Sequence, residues 1–100
     1  MRFVPIKSIE QHAVLSLHRA RSGFVKSRTA QANQIRGLLG EFGIVLPQGI
    51  VHVARCLLDI IEDADNELTM VFRELLLCLR SHLLELNRQV EALEDQIAAW

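Results

Sequence analysis

The sequence predicts an all-α fold, because three observations favour helices that pack through aliphatic side chains. Half of the 100 residues are hydrophobic, yet only five are aromatic and two are proline. Apolar residues recur at three-four spacing over two long segments. Three of the five glycines fall between Gly40 and Gly49. We therefore expect a long basic amphipathic helix, a turn, a short helix and then a heptad coiled-coil helix.

The first helix is predicted to follow a short extended lead-in over Phe3–Pro5, because proline disfavours helical angles in the residue before it. Ser8 offers an N-cap oxygen and Gln11 can complete a capping box, so we place the first helical residue at Ile9. The apolar stripe that follows consists of Ile9, Ala13, Leu17, Ala20, Phe24, Ile35, Leu38 and Phe42.

Two glycines lie inside this helix. Gly23 and Gly37 each cost roughly 1 kcal/mol relative to alanine in a helix interior. We expect either close backbone contacts or a kink at these positions.

The stretch from Gly40 to Gly49 contains Gly43 and Pro47 as well, which predicts a turn. Its apolar residues Ile44, Val45 and Leu46 are expected to tuck under the helix ends. A second helix should run from about Ile50 to Glu62, followed by an acidic joint over Asp63–Glu67. We divide the chain into a basic helix and turn (1–49), a short helix and joint (50–68) and a coiled-coil helix (69–100).

The last segment has the most regular periodicity in the chain. Apolar residues alternate in steps of four and three, which is typical of a coiled coil through which copies of a chain associate. Its e and g positions offer few opposite charges, so the orientation of the partner helix stays open. The predicted oligomerisation seam consists of Phe72, Leu76, Leu79, Leu83, Leu86, Val90, Leu93, Ile97 and Trp100.

Charge is distributed unequally between the two parts of the chain. Residues 1–58 contain eight basic and two acidic residues, a formal charge of +6, whereas residues 59–100 contain three basic and ten acidic residues, a charge of −7. The stretch Gln11–Gly40 has no acidic residue at all. Two interpretations stay open: the basic part binds a polyanion, or the two parts attract each other.

The polar residues of the first helix also follow three-four spacing. Arg19, Ser22, Lys26, Thr29, Asn33 and Arg36 lie within about 100° of one another, opposite the apolar stripe. Arginine and lysine bind phosphate oxygens, and the face has no aromatic side chain to stack on bases. We therefore predict binding to a nucleic-acid backbone without sequence-specific reading, through Arg19, Arg21, Lys26, Arg28, Asn33 and Arg36.

Other kinds of chemistry find little support. His12 and His18 have no cysteine or carboxylate placed to form a catalytic group, and Cys56 and Cys78 lack metal-binding spacing. Asp63, Asp65, Glu67 and Glu74 follow four ligand positions of a calcium loop, but Leu68 replaces the glycine that its turn requires. We predict no catalytic residue, no metal ligand and no cofactor in this chain.

The compartment is predicted from what the sequence lacks. Its start, MRFVPIKS, has no apolar run of the kind found in a signal peptide. The longest apolar segment is interrupted by Arg73, Glu74, Arg80 and His82, which is unsuited to a membrane span. We expect a cytoplasmic protein that does not contact the membrane.

Six short motifs, VPIKS, LHRAR, VKSRT, NQIRGLL, FGI and EDADNEL, carry a family resemblance. With them the chain resembles insertion-sequence transposases of the DEDD type, the IS-one-ten family and its IS-eleven-eleven branch, which are related to the Piv invertase. The resemblance implies a RuvC-like domain with four metal-binding acids, a helical coiled-coil middle and a C-terminal domain with a nucleophilic serine. It also implies DNA as a partner and, for some members, a structured guide RNA. A divalent metal is implied only for the full-length family.

The chain matches the end of the RuvC-like domain and the helical coiled-coil middle. No catalytic residue of the family can be carried over to it, and we expect a truncated reading frame without activity of its own. The resemblance implies that the basic face contacts DNA or guide RNA and that the heptad helix joins protomers. The alternative is a stand-alone coiled-coil oligomerisation or regulatory module.

Overall fold

The computed structural model describes residues 6–99 and folds them into three α-helices. Helix α1 runs over Ile6–Gly40, α2 over Ile50–Glu62 and α3 over Met70–Ala98, and residues 6–99 form no strand. The predicted all-α order of a long helix, a short helix and a second long helix is confirmed. The predicted lead-in at Phe3–Pro5 and the seam residue Trp100 lie outside the described residues.

The start of α1 corrects one prediction. The backbone is already helical at Ile6, so Ser8 lies inside the helix and does not cap it. Serine has a helix propensity close to that of isoleucine, so nothing at Ser8 prevents the helix from beginning earlier.

The end of α1 follows the prediction. Gly43 adopts a φ of +74°, a conformation that glycine reaches without steric cost. This geometry lets the amide of Ile44 donate to the carbonyl of Leu39 at 3.1 Å. Leu46 is buried and Ile44 is half-buried as expected, but Val45 is 92% exposed, so the prediction for Val45 was wrong.

Helices α1 and α3 pack in antiparallel orientation. Contacting pairs show this directly, because residue numbers rise along α1 as they fall along α3. The pairs are Arg21 with Glu94, Arg28 with Asn87 and Gln31 with His82, and just past the end of α1 the ring of Phe42 meets that of Phe72.

Helix α2 packs against the first half of α3, also antiparallel. Arg80 donates from Nε to the carbonyl oxygen of Ala54 at 2.9 Å, and Arg73 donates to that of Ile61 at 2.5 Å. Helix α3 therefore lies at the centre of the fold, with α1 and α2 on different sides. One core joins all three helices and includes the fully buried Ile35, Leu39, Val53, Leu57, Leu76 and Leu83.

The molecule is elongated, with extents of 65 × 24 × 19 Å. Helix α1 has 35 residues and α3 has 29, so α1 is longer by about 9 Å. Since Arg21 already lies beside Glu94, the first turns of α1 extend past the end of α3, and Ile9 and Leu15 are 56% and 51% exposed. Within residues 6–99, no helix combines the length and the hydropathy needed to cross a bilayer.

Candidate nucleic-acid interface

The six residues predicted to bind nucleic acid fall into two groups. Arg19, Lys26 and Asn33 are exposed and follow one another at intervals of seven along α1. Residues seven apart lie on the same side of a helix, with a drift of only about 20°. These three side chains therefore form one row, which we call the basic row, on the side of α1 that faces away from α3.

Arg21 and Arg28 belong to the other group, because they face α3. The guanidinium of Arg21 donates to Oε1 of Glu94 from Nη2 at 2.7 Å and from Nε at 3.0 Å. Arg28 donates from Nη1 to Oδ1 of Asn87 at 2.7 Å, and its Nε is buried without a partner. Both arginines help to join α1 to α3, and a role in nucleic-acid binding stays a prediction for them.

Arg36 is half-buried and supports the turn that follows α1. Its Nη2 donates to the carbonyl oxygen of Pro47 at 3.2 Å, while Nη1 lies 3.4 Å from Oδ1 of Asn33. The guanidinium thus ties the end of α1 to the chain just before α2, and its contact with nucleic acid also stays a prediction.

Among the described residues, no acidic side chain forms an ion pair with the basic row. Within residues 6–99 the ion pairs are Arg21–Glu94 and Arg88–Glu85, and neither involves Arg19 or Lys26. Ser22 and Thr29 are exposed beside the row and add hydroxyl groups that can donate to phosphate. The mutual attraction of the two parts of the chain is realised at Arg21 and Glu94, which leaves the basic row outside that contact.

The predicted oligomerisation seam lies largely inside the chain. Leu76, Leu83, Leu86 and Val90 are buried, and α1 is the long helix that packs against α3. The remaining described members are half-buried, and association of copies through this seam stays a prediction. These members are Phe72, Leu79, Leu93 and Ile97.

Two arginines of α3 have a role that the sequence did not predict. Arg73 and Arg80 were named only as residues that interrupt the longest apolar segment, but they donate to backbone carbonyls of α2. Their spacing of seven residues placed them on one side of α3. That spacing gave no sign that α2 would lie there, so the contacts could not be predicted.

The acidic joint is a capped turn. The carboxylate of Asp63 accepts the amide of Asp65 at 2.9 Å, which is an Asx turn. Thr69 caps α3 by accepting the amide of Phe72 at 3.2 Å. Among the residues that the structure describes, no three His, Cys, Asp or Glu side chains are grouped so that they could hold a metal ion.

Two exposed groups on α3 have shifted pKa values. A hydrogen bond from the guanidinium of Arg88 lowers the pKa of Glu85, and the same bond raises the pKa of Arg88. This pair lies on α3, away from the basic row, and does not alter the charge of the row.

Over nearly its whole length the chain is similar to transposases of bacterial insertion sequences. It is 42% identical over 100 residues to the protein named probable family 20 transposase of Pseudomonas aeruginosa. It is 36% identical over 99 residues to the transposase for insertion sequence element IS1111A of Coxiella burnetii. It is 35% identical over 97 residues to the transposase for insertion sequence element IS1328 of Yersinia enterocolitica. These similarities support an insertion-sequence transposase family for the chain.

The relatives are much longer than the chain. Each match covers 97–99% of the chain, but only 30%, 27% and 28% of the respective relatives. No family model matches the chain, and no solved structure matches it. The similarity therefore concerns a segment of less than a third of a transposase.

Proposed function

We propose that the chain is the nucleic-acid-binding and dimerisation segment of a DNA transposase of the DEDD type, acting in DNA transposition and recombination. The observation that carries this proposal is the basic row of Arg19, Lys26 and Asn33, exposed on a helix without acidic residues between Gln11 and Gly40. The similarity to insertion-sequence transposases supports it, because such enzymes act on DNA.

The dimensions of the basic row suit a nucleic-acid backbone. Fourteen residues separate Arg19 from Asn33, which corresponds to about 21 Å along the helix. One DNA strand carries a phosphate every 3.4 Å or so along the axis, so the row spans about six phosphates. The side chains are lysine, arginine and asparagine, all of which donate hydrogen bonds to phosphate oxygens. We therefore propose contacts to the backbone of DNA, or of a structured guide RNA.

Catalysis belongs, in this proposal, to parts of the longer transposase. The DEDD type implies four metal-binding acids and a nucleophilic serine, and none of these is assigned to a residue here. Residues 6–99 also contain no group of side chains that fits the implied divalent metal. We therefore derive no catalytic step from this chain.

Charge reversal tests the proposed interface. Lys26→Glu should weaken binding to a 20-base-pair duplex and to a hairpin RNA, because it replaces a phosphate contact with a repulsion. On the duplex, the slope of log K against log salt concentration should fall by about 0.9 for the lost contact. Fluorescence anisotropy at several salt concentrations measures both quantities.

Arg88→Glu is the matched control. It changes the net charge by the same amount, and the Arg88 side chain is 72% exposed on α3, away from the basic row. Affinity should change much less in this variant than in Lys26→Glu. Equal losses in the two variants would show that only overall charge matters and would contradict the proposed interface.

The alternative function is a stand-alone oligomerisation or regulatory module. The ion pair between Arg21 and Glu94 favours it, because it shows that the basic and acidic parts of the chain dock on each other. A chain that self-associates but binds neither duplex nor hairpin RNA at 50 mM salt would support this alternative.

A further inference from the structure

A shallow groove runs between α2 and α3, which we call the α2–α3 groove. It has a volume of about 350 Å³, and its apolar lining includes Ile50, Val51 and Leu58 of α2 and Leu84 of α3. Val51 is 59% exposed and Leu84 is 38% exposed. Apolar side chains therefore reach the surface in this groove.

The antiparallel packing of α2 on α3 fixes which residues lie level with each other. Arg73 contacts the carbonyl oxygen of Ile61 and Arg80 contacts that of Ala54, so seven residues forward along α3 match seven residues back along α2. Arg55 follows Ala54 directly and, like Arg80, lines the groove. The two arginines thus lie at one level of the groove, one on each helix.

Apolar residues lie at the levels before and after the arginines. In the same register Val51 is level with Leu84, and Leu58 is level with Leu77, which is 43% exposed. Each of these residues is three or four positions from the arginine of its own helix, and residues at this spacing share one side of a helix. Along its length the groove therefore presents an apolar pair, a pair of arginines and a second apolar pair.

The arginine pair has no acidic partner among residues 6–99, where the ion pairs involve neither Arg55 nor Arg80. Arg80 donates from Nε to the carbonyl oxygen of Ala54 at 2.9 Å, which holds its guanidinium in place while both Nη groups remain available. Asp59 and Glu62 lie toward the joint and do not line the groove. Two cations at one level favour an anion between them, because it replaces a repulsion with two attractions.

These features together identify the kind of partner. A guanidinium binds a carboxylate through two parallel hydrogen bonds, and the apolar pairs require apolar side chains opposite them. A helix that carries apolar residues seven positions apart, with Asp or Glu midway between them, matches all three levels. The phosphates of a nucleic acid would also suit the arginines but would set charged groups against the apolar pairs, which is unfavourable.

The size of the groove limits the length of this partner. Its three levels cover seven residues along each helix, which corresponds to about 10 Å. Its volume of about 350 Å³ is near the lower end of the range for ligand clefts, roughly 300–1,000 Å³. This is much less than two folded domains need, since each buries about 800 Å² in a standard interface. The groove instead suits about two turns of a single helix.

We infer that an acidic amphipathic helix of another protein docks in the α2–α3 groove. Its carboxylates bind Arg55 and Arg80, and its apolar residues pack on the two apolar pairs. This inference goes beyond the proposed binding of nucleic acid, because the basic row lies on the side of α1 that faces away from α3. Both partners can therefore be bound to one chain at the same time.

A designed peptide tests the groove directly. The glutamate peptide is a fluorescein-labelled, alanine-based helix of about 15 residues, with two leucines seven positions apart and two glutamates midway between them. The lysine peptide differs only in carrying two lysines in place of the glutamates. Fluorescence anisotropy at about 0.15 M salt, where distant charges are screened, should show that the glutamate peptide binds at least about tenfold more tightly.

Arg55→Glu tests the charge of the groove. This variant should bind the glutamate peptide at least about tenfold more weakly than the unmodified chain and the lysine peptide more tightly, because the sign of the charge at the middle level is reversed. Arg19→Glu is the matched control, since it makes the same change in net charge on the basic row. It should weaken binding to a 20-base-pair duplex and leave peptide binding nearly unchanged, whereas Arg55→Glu should leave duplex binding nearly unchanged.

A pair of valines tests the apolar levels. Val51→Ser should weaken binding of the glutamate peptide several-fold, because it removes apolar contact area from the groove. Val45→Ser changes a valine of the turn that is 92% exposed and lies outside the groove, so it should leave peptide binding unchanged. Circular dichroism of all four variants checks that they remain helical.

Four outcomes would overturn the inference. The glutamate peptide would not bind at concentrations up to about 1 mM, or the lysine peptide would bind equally well. Arg55→Glu would weaken duplex binding as strongly as Arg19→Glu, which would make the groove a nucleic-acid surface. In sedimentation equilibrium the chain would self-associate and Val51→Ser would abolish this, which would mean that a second copy occupies the groove. Duplex binding by the basic row is measured separately, so it can hold even if the peptide fails to bind.

Discussion

Arg73 holds the end of α2 against the start of α3. Its guanidinium donates to the carbonyl oxygens of Ile61 at 2.5 Å, Leu68 at 3.1 Å and Asn66 at 3.3 Å, and also to Oδ1 of Asn66. The amide of Asn66 donates in turn to the carbonyl oxygen of Ile60 at 2.7 Å. Ile61 lies in the last turn of α2, where carbonyls have no partner within their own helix, and Asn66 and Leu68 lie in the joint, so these bonds supply donors to carbonyls that the helices do not pair.

Replacing Arg73 should therefore destabilise the fold. We expect Arg73→Met to lower the free energy of unfolding by roughly 2–3 kcal/mol, because the variant keeps the aliphatic stem but leaves several carbonyls without donors. Urea denaturation followed by circular dichroism measures this change. Arg88→Met removes only an exposed pair and should cost much less than Arg73→Met, so equal losses would contradict the role of Arg73.

The pair of Glu85 with Arg88 makes a contribution to stability that depends on pH. Arg88 lowers the pKa of Glu85 in the folded chain, from an ordinary value near 4.5. The stabilisation from this pair is therefore present at neutral pH and is lost as the pH falls through the lowered pKa. In Arg88→Gln, the Glu85 carboxylate should titrate at a higher pH in NMR than in the unmodified chain. An unchanged titration would show that the bond does not persist in solution.

At the scale of whole elements, α3 is the centre of the fold, and its seam faces α1 of the same chain. Leu83 is fully buried, whereas its neighbour Leu84 is 38% exposed. Leu83→Ala should cost about 2–5 kcal/mol, the usual loss for a buried leucine, and Leu84→Ala clearly less. The midpoint of urea unfolding measures both, and similar midpoints would contradict the burial of Leu83 in the core.

A substitution at Gly37 should stabilise the fold, unlike the substitutions described so far. It lies inside α1, and a Cβ atom there would meet nothing within 4 Å. Gly37→Ala should therefore stabilise the chain by about 0.5–1 kcal/mol, since alanine has the higher helix propensity and no contact opposes it. Thermal unfolding should shift to higher temperature. A lower midpoint would show that a Cβ atom at Gly37 does meet other atoms.

The boundaries of the elements were largely predictable from local signals. Glycine and proline between Gly40 and Gly49 predicted both the end of α1 and the start of α2 at Ile50. The start of α1 was not predictable, because a capping pattern at Ser8 shows where a helix can begin and not where it must. Neither Gly23 nor Gly37 has the close contact that we expected as one explanation for glycines in a helix.

The candidate site was predictable only in part. Helical spacing placed Arg19, Lys26 and Asn33 correctly on an exposed side of α1. It could not show that Arg28 and Gln31, which interrupt the apolar stripe, face α3 and meet Asn87 and His82. Such partners lie more than fifty residues away in sequence, and three-four spacing is the same whether the facing helix belongs to the same chain or to another.

At the scale of the whole molecule, the chain is a rod with a small core. Its radius of gyration is 18.6 Å, whereas a compact domain of 100 residues has about 13 Å. A rod exposes more of its surface than a sphere of the same volume, so little apolar area is buried per residue and stability is marginal.

Small-angle scattering tests this shape. The unmodified chain at low concentration is expected to give a radius of gyration near 18.6 Å. A value near 13 Å would mean that the three helices collapse into a different arrangement.

The antiparallel order of α1 and α3 has a mechanical consequence. Phe42 and Phe72, at one end of the rod, are 30 residues apart in sequence, whereas Arg21 and Glu94, toward the other end, are separated by 73 residues. Tension applied to the start of α1 and the end of α3 would load the Arg21–Glu94 end first. The two helices would unzip one row of contacts after another at low force, and the joint held by Arg73 would be the last to open.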